Sequence, residues 1–199
     1  VAQGREMIEW NPVLAQDLEI RGRVLDENDA SLEGFVLLVE EQTLGGRGRR
    51  ETLKKARTDG AGLFTFGELS DLAYRITVHE SENSLPCGLL EEVRPGGGEV
   101  EIRVDRQALS SAYLLGRVQD AQGNAYPGAK VICYSAIGGY RVFFTGKEGG
   151  AFRLGPLPSG RYAVEVQVPG HASLALGEHE VEPGEEKDLG LHFLAPPRR

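Results

Sequence analysis

The residues in this sequence best suited to chemistry are its histidines, because two of the four stand in His-x-x-Glu pairs: His79-Glu80-Ser81-Glu82 and His179-Glu180-Val181-Glu182. Peptidases use this spacing for two zinc ligands, and on a helix or tight turn it can put both groups on one face. Here both pairs lie in or at the end of strand-like stretches, where residues three apart face opposite ways, and no third ligand accompanies them. The spacing is therefore read as coincidence, with no metal or other cofactor expected. His171 and His192 are expected at surface or edge positions. No Gly-x-Ser-x-Gly nucleophile motif occurs. Arg47, Arg49, Arg50, Lys54, Lys55 and Arg57 are the one basic concentration. They could grip a phosphate or an acidic glycan, but a solvated hairpin is the favoured reading. Glu178, Glu180 and Glu182, with Glu185, Glu186 and Asp188, could bind calcium weakly; the favoured reading is an outer strand whose like charges discourage edge pairing.

The elements that must carry these residues are written twice. Gly62, Phe64, Gly67, Leu69, Tyr74 and Val78 recur as Gly150, Phe152, Gly155, Leu157, Tyr162 and Val166, all displaced by the 88 positions that separate Phe64 from Phe152. A constant displacement marks a tandem of two similar modules. Tyr74, Ile76 and Val78 alternate with Arg75 and Thr77, as Tyr162, Val164, Val166 and Val168 do with Ala163, Glu165 and Gln167, predicting strands with the first set inward and the second in solvent. Each tyrosine can bury its ring and bond its hydroxyl to nearby backbone, as tyrosine corners do. Earlier in each copy, Gly22, Arg23, Val24 and Asp26 recur as Gly116, Arg117, Val118 and Asp120, 94 positions on. The fall from 94 to 88 puts six extra residues in the first copy, in or beside Glu41 to Arg50, a polar hairpin tip.

About seven short strands per copy, frequent turn signals and no long amphipathic helix predict two tandem β-sandwiches, at residues 18–105 and 112–195. Residues 1–17, with Trp10, are read as a linker or cap. Only Asp105 to Ser111 lies between the modules, so restricted relative motion is expected. The formal net charge of −8 opposes affinity for nucleic acid or anionic lipid. No apolar run approaches the ~18 residues of a membrane span, so no membrane insertion is expected. Cys87 and Cys133 fall at non-equivalent positions, so the copies share no disulfide plan. The absent initiator Met and the closing Pro196-Pro197-Arg198-Arg199 suggest a piece of a longer protein.

The runs Gly116-Arg117-Val118-Gln119-Asp120, Tyr126-Pro127-Gly128-Ala129-Lys130-Val131, Gly150-Ala151-Phe152-Arg153-Leu154, Leu157-Pro158-Ser159-Gly160-Arg161-Tyr162 and Val168-Pro169-Gly170-His171 resemble the carboxypeptidase regulatory-like domain. The first copy departs from that pattern at Leu32-Glu33-Gly34-Phe35 and at Leu72, where Pro-Gly-Ala and a glycine are usual. The resemblance implies a prealbumin-like (transthyretin-like) Greek-key sandwich, all-β and seven-stranded. It also implies a non-catalytic module of a larger bacterial envelope or secreted protein, hence an extracytoplasmic location. Enzymes of the same topology need residues missing here: hydroxyisourate hydrolases end in Tyr-Arg-Gly-Ser, and intradiol dioxygenases use a His-x-His pair. Pilin-type Lys-to-Asn crosslinks are also not expected, because Ala112 to Asp120 holds no Lys and Leu189 to Leu194 no Asn.

With Ala129, Val131 and Cys133 inward, Ile132 and Tyr134 must face outward, and the first copy turns Val36 and Leu38 out in the same way. Apolar residues on the outer face of the same strand in both copies predict a covered face. Extra strand packing is the favoured account; the sister module, the Trp10 segment or a partner are the candidate covers. The adjacent Phe143 and Phe144 cannot both point inward, so one or the other joins the outward set, and Phe143 is named as the candidate with Ile132, Tyr134 and Tyr140. The expected function is a non-catalytic spacer and interaction module whose partners are other domains of its parent chain. The alternative is an accessory module binding a glycan or peptide through Tyr134, Tyr140 and Phe143.

Overall fold

The computed structural model describes residues 18–42, 52–146 and 149–195. At the centre of each half, a glycine faces a phenylalanine across two paired strands. β1 (Leu18–Leu25) runs antiparallel to β4 (Leu63–Leu69) with Gly22 opposite Phe64. β8 (Ala112–Gln119) runs antiparallel to β11 (Ala151–Leu157) with Gly116 opposite Phe152. A Cβ on Gly116 would stand 2.4 Å from Phe152 Cζ, and one on Gly22 would stand 2.8 Å from Phe64 Cζ. Each glycine thus leaves the space that a buried ring occupies.

The other strands take matching places in both halves. β7 (Val100–Arg103) and β14 (Glu186–Phe193) pair in parallel with β1 and β8, completing the sheets β4-β1-β7 and β11-β8-β14. β2 (Val36–Glu41), β3 (Thr52–Arg57), β5 (Tyr74–His79) and β6 (Pro86–Val93) form an antiparallel sheet in the order β3-β2-β5-β6. β9 (Lys130–Ser135), β10 (Tyr140–Phe144), β12 (Gly160–Gln167) and β13 (Leu174–Val181) repeat it as β10-β9-β12-β13. One core gathers Ile20, Leu37, Phe64 and Tyr74, the other Leu114, Val131, Phe152 and Tyr162. The protein is all-β; the only helical element among the described residues is a 3₁₀ turn at Arg106–Ala108. The six-residue surplus also appears, since β2 ends at Glu41 and β3 begins at Thr52, whereas β9 ends at Ser135 and β10 begins at Tyr140.

Polar turns close the repeated unit. The Tyr74 hydroxyl lies 3.1 Å from Ser70 N and 3.2 Å from Ser70 O, and Tyr162 donates to Pro158 O at 2.6 Å, as tyrosine corners do. Asp26 Oδ1 accepts from the N–H groups of Asn28 and Ala30, and Asp120 Oδ1 from those of Gln122 and Asn124.

The expectation for Arg75 and Thr77 does not hold: both are buried. The reason lies in the other half. The turn between β9 and β10 covers this outer face, so that Arg75 donates to Ile137 O and a Cβ on Gly138 would stand 3.1 Å from Arg75 Nη2. A gap of about 230 Å³ remains there, lined in part by Leu38, Arg75, His79 and Gly139. The sister half is therefore part of the cover over Leu38, which is half-buried; Val36 is buried. Leu85, between β5 and β6, is 2% exposed and belongs to the second core. The short link is tied to both sides: Ser111 N–H donates to Leu157 O at 3.0 Å, Ser159 N–H donates to Ala108 O at 3.0 Å, and Arg106 Nε lies 2.6 Å from Asp26 Oδ2.

Candidate interaction face

The register of β10 decides which aromatic side chains reach solvent. Tyr140 pairs with Tyr134, Val142 with Ile132 and Phe144 with Lys130, so these six share the face turned away from the core. Ile132, Tyr134 and Tyr140 thus stand on the expected side, although Ile132 is itself buried. Phe143 does not. It pairs with the core residue Val131 and packs against the same core, with the Arg141 guanidinium 5.0 Å from its ring centroid. Strict alternation along β10 puts Phe144 and Val142 on the outer face instead. Tyr140 is 63% exposed, Phe144 60%, Val142 41% and Tyr134 37%. The Tyr134 and Tyr140 rings lie 5.8 Å apart and tilted.

β12 and β13 extend this face with small residues and carboxylates, beyond Arg161, which lies opposite Glu180 at one end. Ala163 lies opposite Tyr134 on one side and Glu178 on the other, and Glu165 lies between Ile132 and Ala175. Gly177 adopts a φ of 100°, which favours glycine, at the irregularity where the β12–β13 register shifts. Small side chains at 163 and 175 leave a depression of about 350 Å³ lined by Tyr134, Glu165, Glu178 and Gly177. Burial, then the nearby Glu165 and Tyr140, raises the pKa of the Tyr134 hydroxyl. The side chains of Gln167 and Ser173 donate to Glu165 and hold its carboxyl below the usual range. Among the described residues, no Lys, Arg or His nitrogen comes within 4.0 Å of either Glu165 or Glu178.

The other candidate residues are engaged elsewhere. His79 Nδ1 lies 3.0 Å from Ser84 O and Nε2 3.1 Å from Thr77 Oγ1, while Glu82 bridges to Lys55 at 2.6 Å and Arg57 at 3.6 Å. His179 Nε2 contacts Leu176 O at 3.1 Å. Among the described residues, no group of three His, Cys, Asp or Glu side chains is placed to hold a metal ion. Lys54 pairs with Glu68 at 2.8 Å, while Arg47, Arg49 and Arg50, like residues 1–17, lie outside the described residues. Half-buried His171 meets the Tyr126 ring edge-on, and His192 is half-buried in β14. Cys87 and Cys133 are unpaired, and burial pushes both thiols up to about 12, so neither is a thiolate at neutral pH. Phe144 takes the outward place assigned to Phe143, and Val142 and the small residues of the depression were not among the expected outward residues; the strand alternation carried the signal once the phase of β10 was known.

Residues 114–193 match the model of the carboxypeptidase regulatory-like domain. No curated protein matches the chain. Among solved structures, the TIE protein of Bacillus anthracis is 18% identical with a TM-score of 0.39, covering 89% of this chain and 34% of its own. A streptococcal ancillary pilin is 17% identical with a TM-score of 0.39, covering 94% and 64%. A minor pilin of Streptococcus agalactiae is 12% identical with a TM-score of 0.41, covering 90% and 98%. The chain thus spans about a third of the first of these proteins and just under two thirds of the second. Among the described residues, no helix is long and apolar enough to cross a membrane.

Proposed function

We propose that this chain is a non-catalytic spacer and interaction module: two sandwich domains, 18–105 and 112–195, preceded by a linker or cap and set within a larger extracytoplasmic bacterial protein. Its first partners are the other domains of that protein. The junction carries the proposal. Leu85 of the first half fills the core of the second, and Arg75 is capped by the Ile137 carbonyl. A spacer transmits position only if its parts do not hinge, and a large buried side chain crossing between the sandwiches opposes hinging. X-ray scattering tests this: one rigid shape is expected to fit the intact chain, and a broad ensemble is expected for Leu85→Ser with Arg75→Ala. A broad ensemble for the unaltered chain would remove the spacer reading. Hydrolase or dioxygenase turnover that survived repurification would remove the non-catalytic one.

A second reading has its own support. Tyr134, Tyr140 and Phe144 share one exposed face, with Tyr134 beside a depression, and such a surface suits a glycan ring or a peptide. Binding abolished by Tyr134→Ala would favour it.

A further inference from the structure

We infer that the outer face of the sheet β10-β9-β12-β13 docks an extended, basic segment of a partner protein. This segment carries aliphatic or aromatic side chains followed, three or four residues on, by lysine or arginine. The inference rests on the second reading above, that the exposed aromatic residues form a binding surface, and adds the chemistry of the occupant.

The apolar end of the face is an unguarded sheet edge. β10 and β3 hold the same edge position in the two halves. β3 carries Lys54, Lys55 and Arg57, each paired with Glu68 or Glu82, and charge of this kind discourages docking at a sheet edge. β10 instead presents Tyr140, Val142 and Phe144. The one cation of β10, Arg141, is turned the other way against Phe143, so the outer side of this edge is charged in one half and apolar in the other until Lys130 beside Phe144.

The other end of the face is matched to a cation. The depression joins a tyrosine ring to the carboxylates of Glu165 and Glu178, and both ring and carboxylate attract a guanidinium or ammonium group. Lys130 and Arg161 stand on the same face, but no cation of the described residues lies within 4.0 Å of these carboxylates. A neutral sugar brings no charge to pair with them, and an acidic glycan would be repelled. So would a second copy of this acidic chain presenting the same face.

The spacing fits as well. Neighbouring strands lie about 4.8 Å apart, so the β10 edge and the depression beyond β9 are about 10 to 14 Å apart. An extended chain rising about 3.3 Å per residue crosses that distance in three or four residues.

The test is calorimetric titration of the intact chain with a blocked eight-residue peptide carrying Phe and Val in its first half and Lys in its second. A twin with Glu in place of Lys is the control. The lysine peptide is expected to bind at least about tenfold more tightly than its twin, and less tightly as salt rises. Glu165→Gln with Glu178→Gln should weaken it about tenfold, and Tyr134→Ala about fivefold. Tyr140→Ala with Phe144→Ala should weaken both peptides alike. These positions lie on the outer face, and unchanged far-UV circular dichroism would show that the variants fold. Equal binding of the two peptides, or binding of neither at millimolar concentration, overturns the inference. A neutral glycan held through Tyr134 and Phe144 in place of the peptide overturns it too, but leaves the aromatic-face reading standing. If no ligand responds to Tyr134→Ala or Phe144→Ala, both fall.

Discussion

Gly116 and Gly67 are both repeated glycines, yet their replacement should have opposite consequences. A Cβ on Gly116 enters the Phe152 ring, so Gly116→Ala should cost about 1 to 3 kcal/mol in urea unfolding. Nothing lies within 4 Å of a Cβ on Gly67, so Gly67→Ala should stay within about 0.5 kcal/mol. Its counterpart Gly155 does need to be glycine: its φ is 148°, and a Cβ there would meet Tyr113 Cδ1 at 2.4 Å. The repeat shows where glycines recur but not which copy depends on them, because that is decided by a neighbouring strand. Tyr162→Phe, which removes only the bond to Pro158 O, should cost about 1 kcal/mol, against about 3 to 5 for Phe152→Ala. A loss below about 1 kcal/mol for Phe152→Ala would contradict its place in the core.

At the scale of elements, the β5–β6 connection is the informative one. Leu85 sits between two strands of the first sheet but is buried in the second core, so Leu85→Ala should cost about 2 to 5 kcal/mol. Its effect should appear in hydrogen exchange as lost protection of β8 and β12 amides; loss confined to β5 and β6 would refute the placement. His79 at the end of β5 and Asp26 just after β1 predict a response to acid. Burial holds His79 below its ordinary pKa despite the raising effects of Ser84 O and Glu40. Burial acts to raise Asp26, but the N–H groups of Ala30 and Asn28, with Arg106, outweigh it and hold its carboxyl low. Both groups favour the deprotonated form when folded. Their contributions are therefore complete above the ordinary pKa values and are lost as pH falls through the folded ones. Thermal unfolding should weaken first through the histidine range and then through the carboxylate range. In His79→Gln the upper step should vanish, and in Asp26→Asn the lower step should shrink. Alternation along β5 could not reveal this environment, since Arg75 reads as an exposed residue until the other half is laid against it.

For the molecule as a whole, the junction predicts that the second half depends on the first. Residues 112–195 alone would lack Leu85 and expose the site it fills, so they should melt below the intact chain; equal melting would mean that the contact contributes nothing. The order of residues was enough to establish two copies of one all-β plan, because strand alternation, turn glycines and buried aromatic residues are local patterns that survive without neighbours. For the same reason it supplied Ile132, Tyr134 and Tyr140 as outward residues on their strands. It could not supply the phase of β10, which exchanged Phe143 for Phe144, because two adjacent phenylalanines are equally apolar and only pairing with Val131 distinguishes them. Nor could it supply the depression between Tyr134, Glu165 and Glu178 or the passage of Leu85 into the other core. Those arise where strands distant in sequence meet, and contact between distant residues is set by packing rather than by any local pattern.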